Sequence, residues 1–240
     1  MKTATKIIAI VILLISTTSC FVDGITGIKG NNHVVTEDRT ISSNFDIIKV
    51  QQGIQLYLTQ DNSTELKVEA DENIIDLLVT EVQNNELKIY FEKNVYRAKA
   101  RKVFLTTDNI KKIKTSSGAS VKSENTLQLT SLDLDASSGS SIKVHVDANE
   151  VTSETSSGAN IDVFGKTTTF SASASSGSSI DADELKSVDT YAKASSGANI
   201  NVNVSGKLTA KASSGGDIDY EGNPKDINKN TSSGGSVSGS

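Results

Sequence analysis

Ser-Ser-Gly occurs seven times, at 116–118, 137–139, 156–158, 175–177, 195–197, 213–215 and 232–234, with glycine-to-glycine spacings of 21, 19, 19, 20, 18 and 19. A period near 19 is too long for a hairpin and too short for a helix pair, but it fits one coil of a β-solenoid. Aligned on the glycine, the copies place a β-branched residue three positions later: Val121, Ile142, Ile161, Ile180, Ile200, Ile218 and Val237. Strands favour such residues, and a column of them stacks into a core ladder. The next position holds Lys122, Lys143, Asp162, Asp181, Asn201, Asp219 and Ser238, so it faces water. The position after that returns to the core face with period two, as in Val144, Val163 and Val202.

Upstream of the glycine the alternation continues. Ala136, Ala174, Ala194 and Ala212, or Thr115, Thr155 and Thr231, stand three residues before it, and Leu132, Val151, Phe170 and Leu208 stand seven before it. Each repeat reads as a Leu-x-Ala-x-Ala strand, a corner whose glycine is free to take positive φ, and an Ile-x-Val strand. Strands that pair with their equivalents one coil away make parallel sheets, and such crossovers are right-handed. The expected fold is all-β: a right-handed, single-stranded parallel β-helix (solenoid) with a thin, Ala-rich core. Ser ladders and an Asn/Ser/Asp ladder, with Asn160, Asn199 and Asp217 in it, are expected to hydrogen-bond from coil to coil.

The front of the chain gives an address. Lys2 and Lys6 precede an apolar run from Ile7 to Ile15, too short to span a bilayer and matching the h-region of a secretory signal. The chain's one cysteine, Cys20, follows directly and resembles the lipidated cysteine of bacterial lipoproteins, although Thr17 stands where the usual lipobox has leucine. Residues 1–19 are then the signal peptide, and residues 20–32 the lipidated Cys20 and a flexible tether. The alternative is plain secretion with cleavage near Ser19. An acylated Cys20 anchors the chain to a membrane, each buried CH₂ contributing ~0.8 kcal/mol. Phe21 rather than Asp follows it, which favours the outer membrane without fixing the side.

Residues 33–114 have another texture. Alternating runs at 45–50, 54–59, 66–70, 86–91 and 102–106 read as half-buried strands, and residues 73–79 as a helical turn or two. With no proline-rich linker before the repeats at 115–240, residues 33–240 are expected to form one domain whose front part makes irregular first coils; the alternative is a separate small β domain. Arg39-x-Ile41-x-x-x-Phe45-Asp46-x-Ile48-x-Val50, then Val68-x-Ala70-Asp71-Glu72-Asn73-Ile74 and Asn85-x-Leu87-x-Ile89, lead into Ser-Ser-Gly-Ala-Asn-Ile repeats. In that order and texture the chain resembles the head GIN domain, the auto-transporter adhesins of Bacteroidetes lipoproteins. The resemblance implies a β-helix, a lipid anchor and a binding role.

Chemistry is harder to find. If Asp162 and Asp181 stack in register they lie about 4.8 Å apart, near the spacing of a retaining glycosidase pair. No Trp is present and the few aromatics fall mostly in the first half, so solvated charges on an open ladder are the stronger reading and no catalytic residue is assigned. His33 and His145 have no partner at ligand spacing, so no metal or cofactor is expected. The basic run 96–102 reads as a solvated loop or as a contact to anionic lipid. A net charge of −5 on an exported chain speaks against nucleic acid. The ligand face expected is Asn160, Asn199, Asp162, Asp181, Asn201, Asp217 and Asp219, for a glycan or surface polymer. A rigid envelope spacer is the alternative. The Gly/Ser-rich seventh repeat, read as an uncapped edge, also raises weak end-to-end self-association.

Overall fold

The computed structural model describes residues 27–239; the leader and Cys20 lie outside the described residues. Short strands come first: β1 (Ile28–Lys29), β2 (Val34–Arg39), β3 (Ile47–Val50), β4 (Gln55–Gln60) and β5 (Glu65–Asp71). After one 3₁₀ turn at Ile75–Leu77 come β6 (Leu78–Gln83), β7 (Glu86–Phe91), β8 (Val95–Arg97), β9 (Arg101–Thr107) and β10 (Lys112–Thr115). The repeats supply the long strands β11 (Ser120–Ala136), β12 (Ser141–Thr155), β13 (Asn160–Ala174) and β14 (Ser179–Ser195). The last coils are broken into β15 (Asn199–Val204), β16 (Lys207–Ser213), β17 (Asp217–Glu221), β18 (Asp226–Ser232) and β19 (Ser236–Gly239).

Each coil pairs in parallel with the next, residue for residue between β12 and β13, as in Ile142 with Ile161 and Thr155 with Ala174, and with one bulge per coil between β11 and β12, β13 and β14, and β14 and β15. The result is a parallel β-solenoid of about 19-residue coils. Its first wall runs β2–β5–β9–β4–β11–β12–β13–β14–β15–β17–β19, using the residues just after each corner. The second runs β6–β7–β3–β10 and on through the later halves of β11 to β14 to β16 and β18. Val144, Val163, Ala182 and Val202 from the first wall and Ala172, Ala192 and Ala210 from the second are all buried, so a thin core lies between them. The front segment's β3 and β4 pair with β10 and β11, and antiparallel β2, β5 and β6 finish the two walls.

The corners explain the repeat. In Ser116-Ser117-Gly118-Ala119 the second serine has φ 53° and the glycine φ 71°, and Ala119 N donates to Ser116 O at 3.2 Å. That is a type I′ turn, which needs positive φ at both central residues. Every Ser-Ser-Gly copy has the same signs. The glycine N–H donates onward to the next corner, Gly118 N to Ser138 O at 3.1 Å and Gly139 N to Ser157 O at 3.1 Å. The coil-to-coil bond at the corner is therefore made by backbone, not by the serine hydroxyl ladders expected from sequence. Gln51-Gln52-Gly53 makes the same turn, with φ 58° and 67° and Gly53 N bonded to Ser117 O, although it lacks the Ser-Ser signature.

Inside the corner, buried hydroxyls are matched between neighbouring coils. Ser140 pairs with Thr115 at 2.9 Å and Ser178 with Thr155 at 2.9 Å. Where the first of these positions is Ala159 or Ala198, its counterpart is Ala136 or Ala174, so no buried hydroxyl is left alone there.

Two expectations are corrected. Residues 27–32, expected in the tether, are strapped down: β1 pairs with β8, and Asn32 N donates to Asp71 Oδ2 at 2.8 Å. A Cβ at Gly30 would lie 2.1 Å from that same oxygen, so glycine is required by space. The basic run forms β8 and a turn whose Lys99 and Ala100 N–H groups both donate to Asp71 Oδ1 at 2.9 Å, and Lys102 pairs with Glu69 at 2.8 Å. The run is thus a short strand and a pinned turn, with the Tyr96, Arg97 and Lys99 side chains still exposed to solvent. The last described coil is an exposed Gly/Ser-rich edge, β18 being exposed along its whole length and β19 pairing with β17, but it carries a guard. Lys229 stands in the inward column beside Ala210, its ammonium 4.6 Å from the Tyr220 ring centre, and inward charges are a device that guards exposed edges.

Two outcomes test this fold. Gly158 has open space where a Cβ would sit but holds φ 69°, so Gly158→Ala should lose about 1 kcal/mol, whereas Ser157→Gly should stay within about 0.5 kcal/mol of wild type in thermal unfolding. Burial would raise the carboxyl of Asp71, but its three backbone N–H donors outweigh that and hold it below the usual range. A depressed folded-state value stabilises the protein fully at neutral pH and loses that stabilisation as pH falls through it. The melting-temperature advantage of wild type over Asp71→Asn should accordingly hold from neutral pH into the ordinary carboxylate range and collapse below it.

Candidate functional site

The outer face of the first wall gathers the residues expected to meet a ligand. Register places Asn160, Ser179, Asn199 and Asp217 in one column, and Asp162, Asp181, Asn201 and Asp219 in the column two residues along. All seven candidates thus share one face, on β13, β14, β15 and β17. Side chains along the columns touch: Ser179 Oγ donates to Asn160 Oδ1 at 2.7 Å, and Ser238 Oγ to Asp219 Oδ1 at 2.6 Å. Asn201 and Asp219 also line, with Asp183, Glu221 and Ser238, a hollow of about 460 Å³.

Electrostatics distinguish Asp162 from its neighbours. Partial burial raises its carboxyl above the usual range, Lys143 at 3.9 Å pulls it down, and the stacked Asp181 pushes it up again, the net being upward. Asp217 is awkward in another way, since its Oδ1 is buried with no partner.

Continued past Asp162, the outer column reads Lys143, Lys122, Tyr57 and Phe104, crossing into the front segment through β4 and β9. Sequence reasoning missed both aromatic groups on this face. Tyr57 and Phe104 stack at 5.1 Å with 15° between their planes, and Phe104 is 38 % exposed. His145 and Phe164 stack at 4.8 Å, with the Lys143 ammonium 4.9 Å from the Phe164 ring centre. Phe164 is two residues from Asp162 on the same outward face, so the expectation that no aromatic flanks the aspartates is corrected. The signal was available in the outward positions 160, 162 and 164 of one strand; for Phe104 it was not, because no repeat motif relates β9 to the coils. Beside Phe104 a groove of about 990 Å³ opens between β2, β5 and β9, with Asp38, Lys67, Glu69 and Thr106 on its sides.

Among the described residues no group of three or more His, Cys, Asp and Glu side chains could hold a metal ion. His33 lies 3.1 Å from Glu72, far along the chain from His145. No described helix is long and apolar enough to cross a membrane.

The sequence profile of a family described as "Putative auto-transporter adhesin, head GIN domain" matches residues 44–224. The chain belongs to the head GIN domain family. That match starts beside Phe45 and reaches Pro224, so both aromatic groups and most of both walls fall inside the head GIN domain. Three solved structures are similar. A "putative adhesin" from Bacteroides fragilis has a TM-score of 0.82 at 19% identity, covering 89% of this chain and 100% of that one. A "putative lipid binding protein" from Parabacteroides distasonis has a TM-score of 0.70 at 20% identity over 89% of this chain and 99% of that one. A "putative adhesin" from Parabacteroides merdae has a TM-score of 0.70 at 20% identity over 89% and 98%. At such identities they show the fold. No curated protein matches the chain.

A raised carboxyl binds protons more readily in the folded state, so ionising Asp162 opposes folding. Asp162→Asn should therefore raise the melting temperature at neutral pH and leave it unchanged at a pH where wild-type Asp162 is protonated.

Proposed function

We propose that this head GIN protein is a non-enzymatic envelope lipoprotein, held to the outer membrane by acyl chains on Cys20, that binds a glycan or surface polymer along its first wall. Family membership supports a surface or envelope role, and the relatives are named adhesins rather than enzymes. The observation that carries the binding reading is the outer face itself. Two adjacent columns of amide and carboxyl groups, repeated from coil to coil and flanked by stacked aromatics, offer a periodic polymer periodic contacts. Asp162 and Asp181 lie opposite each other in register, but in this reading they hydrogen-bond hydroxyls rather than cleave.

Purified protein should bind envelope polysaccharide saturably on a glycan array without releasing oligosaccharides, and Asn160→Ala with Asn199→Ala should weaken that binding by about tenfold. No binding to any polymer would favour the rigid spacer, and release of oligosaccharide would overturn the non-enzymatic reading. Metabolic labelling with a fatty acid should mark the chain and be lost in Cys20→Ser.

A further inference from the structure

The first wall is not uniform along its length. From β5 to β12 its outward lysines are each matched by a carboxylate: Lys67 with Asp38 at 3.7 Å, Lys102 with Glu69 at 2.8 Å, Lys122 with Glu124 at 2.9 Å, and Lys143 with Asp162 at 3.9 Å. Those cations are already answered. Beyond Asp162 the outer column becomes Asp181, Asn201 and Asp219, and the bulge of β14 opposite Phe164 adds Asp183 and Glu184. A polyanion laid on this wall would find these lysines already paired at one end and a run of carboxylates at the other, which is repulsion of the kind that sets specificity.

Tyr57 and Phe104 stand on the paired, electrically balanced part, and His145 and Phe164 stand where it meets the run of carboxylates. Phe104 on β9 and Phe164 on β13 are separated by β4, β11 and β12, four strand steps or roughly 19 Å along the solenoid. Between them lie Tyr57, Lys122, Lys143 and His145, which pair amphipathic or aromatic surface with hydrogen-bonding tips. The groove beside Phe104 leaves that ring accessible on its β5 side. The exposed Phe104 ring and the half-buried Phe164 ring offer apolar area to the C–H faces of sugar rings, while the polar groups around them answer hydroxyls.

We infer that the ligand of this wall is an uncharged glycan chain, lying along the solenoid axis across the strands and anchored at two aromatic platforms, Tyr57–Phe104 and His145–Phe164. This rests on the glycan-binding reading of the same wall and assigns it a polymer class, a direction and two anchors. The seven amide and carboxyl positions further along then extend the track and reject polyanions, and the Phe104 and Phe164 rings supply most of the grip.

Affinity electrophoresis of the purified protein through gels containing a linear neutral glucan, a neutral mannan or polygalacturonate tests it. The expected result is retardation by a neutral polymer and not by polygalacturonate, weakened about tenfold by Phe104→Ala and by Phe164→Ala, with Phe104→Tyr and Phe164→Tyr retaining it. Circular dichroism and melting temperature check that each variant is folded, and the tyrosine variants separate loss of the ring from loss of the fold. Preference for polygalacturonate, or neutral-polymer retardation that survives both alanine variants but is lost in Asn160→Ala and Asn199→Ala, would overturn this inference and leave the glycan-binding reading standing. No retardation by any of the three polymers would overturn both.

Discussion

Everything in this molecule depends on keeping successive coils in register, and the interaction that does so most directly is the backbone bond from each corner glycine to the next corner. A parallel ladder alone could slip by a residue, and a slip of one would turn every inward Ile and Val to solvent. The type I′ turn removes that freedom, because only a residue pair tolerating positive φ can sit at the corner and its N–H must find the next corner's carbonyl. Serine in the left-handed region costs roughly 1 kcal/mol. The ladder bond, worth about the same, offsets it.

With the corner bonded through backbone, side chains on the outer faces are released from holding the stack together. The inner columns have no such freedom. On the second wall the columns nearest the corner are mostly small, as in Ala172, Ala174, Ala192 and Ala194, with Leu132, Val151, Phe170 and Leu208 behind them, while the first wall is largely β-branched; packing this close makes the match of Thr115 with Ser140, and of Thr155 with Ser178, a requirement rather than an ornament. The outer columns of the first wall can therefore carry aromatic, amide and charged groups in a sequence that changes along the axis, which is how a regular scaffold presents a non-uniform surface. At the front, Asp71 performs a different task. One carboxylate gathers the N–H groups of Asn32, Lys99 and Ala100 and so joins the incoming strap, the β8–β9 turn and β5.

The candidate face was legible because two periods combine. Alternation by two tells in from out, and the spacing near 19 tells which outward residues lie beside each other, so Asn160, Asn199, Asp162 and Asp181 could be placed on one surface from sequence. Phe104 and Tyr57 could not. They belong to β9 and β4, which carry no Ser-Ser-Gly, and Gln51-Gln52-Gly53 is an unmarked corner whose role appears only when Gly53 N meets Ser117 O. The strap at 27–32 was equally hidden, since Gly30, Asn31 and Asn32 have a linker's composition and are ordered by partners some forty residues away.

By itself the sequence determined the coil: its length, its inward and outward positions, its corner glycines and the family texture of the front segment. These are local properties, set by β propensity, side-chain alternation and the φ that glycine tolerates, and a short window suffices to read them. Tertiary structure alone decided which hydroxyl answers which in the core, how the irregular front segment enters the ladder, and that Tyr57 and Phe104 stack on the same face as the polar columns. Those depend on contacts between residues distant along the chain, whose register is settled by packing and hydrogen-bond satisfaction across the whole stack and leaves no mark in any one repeat.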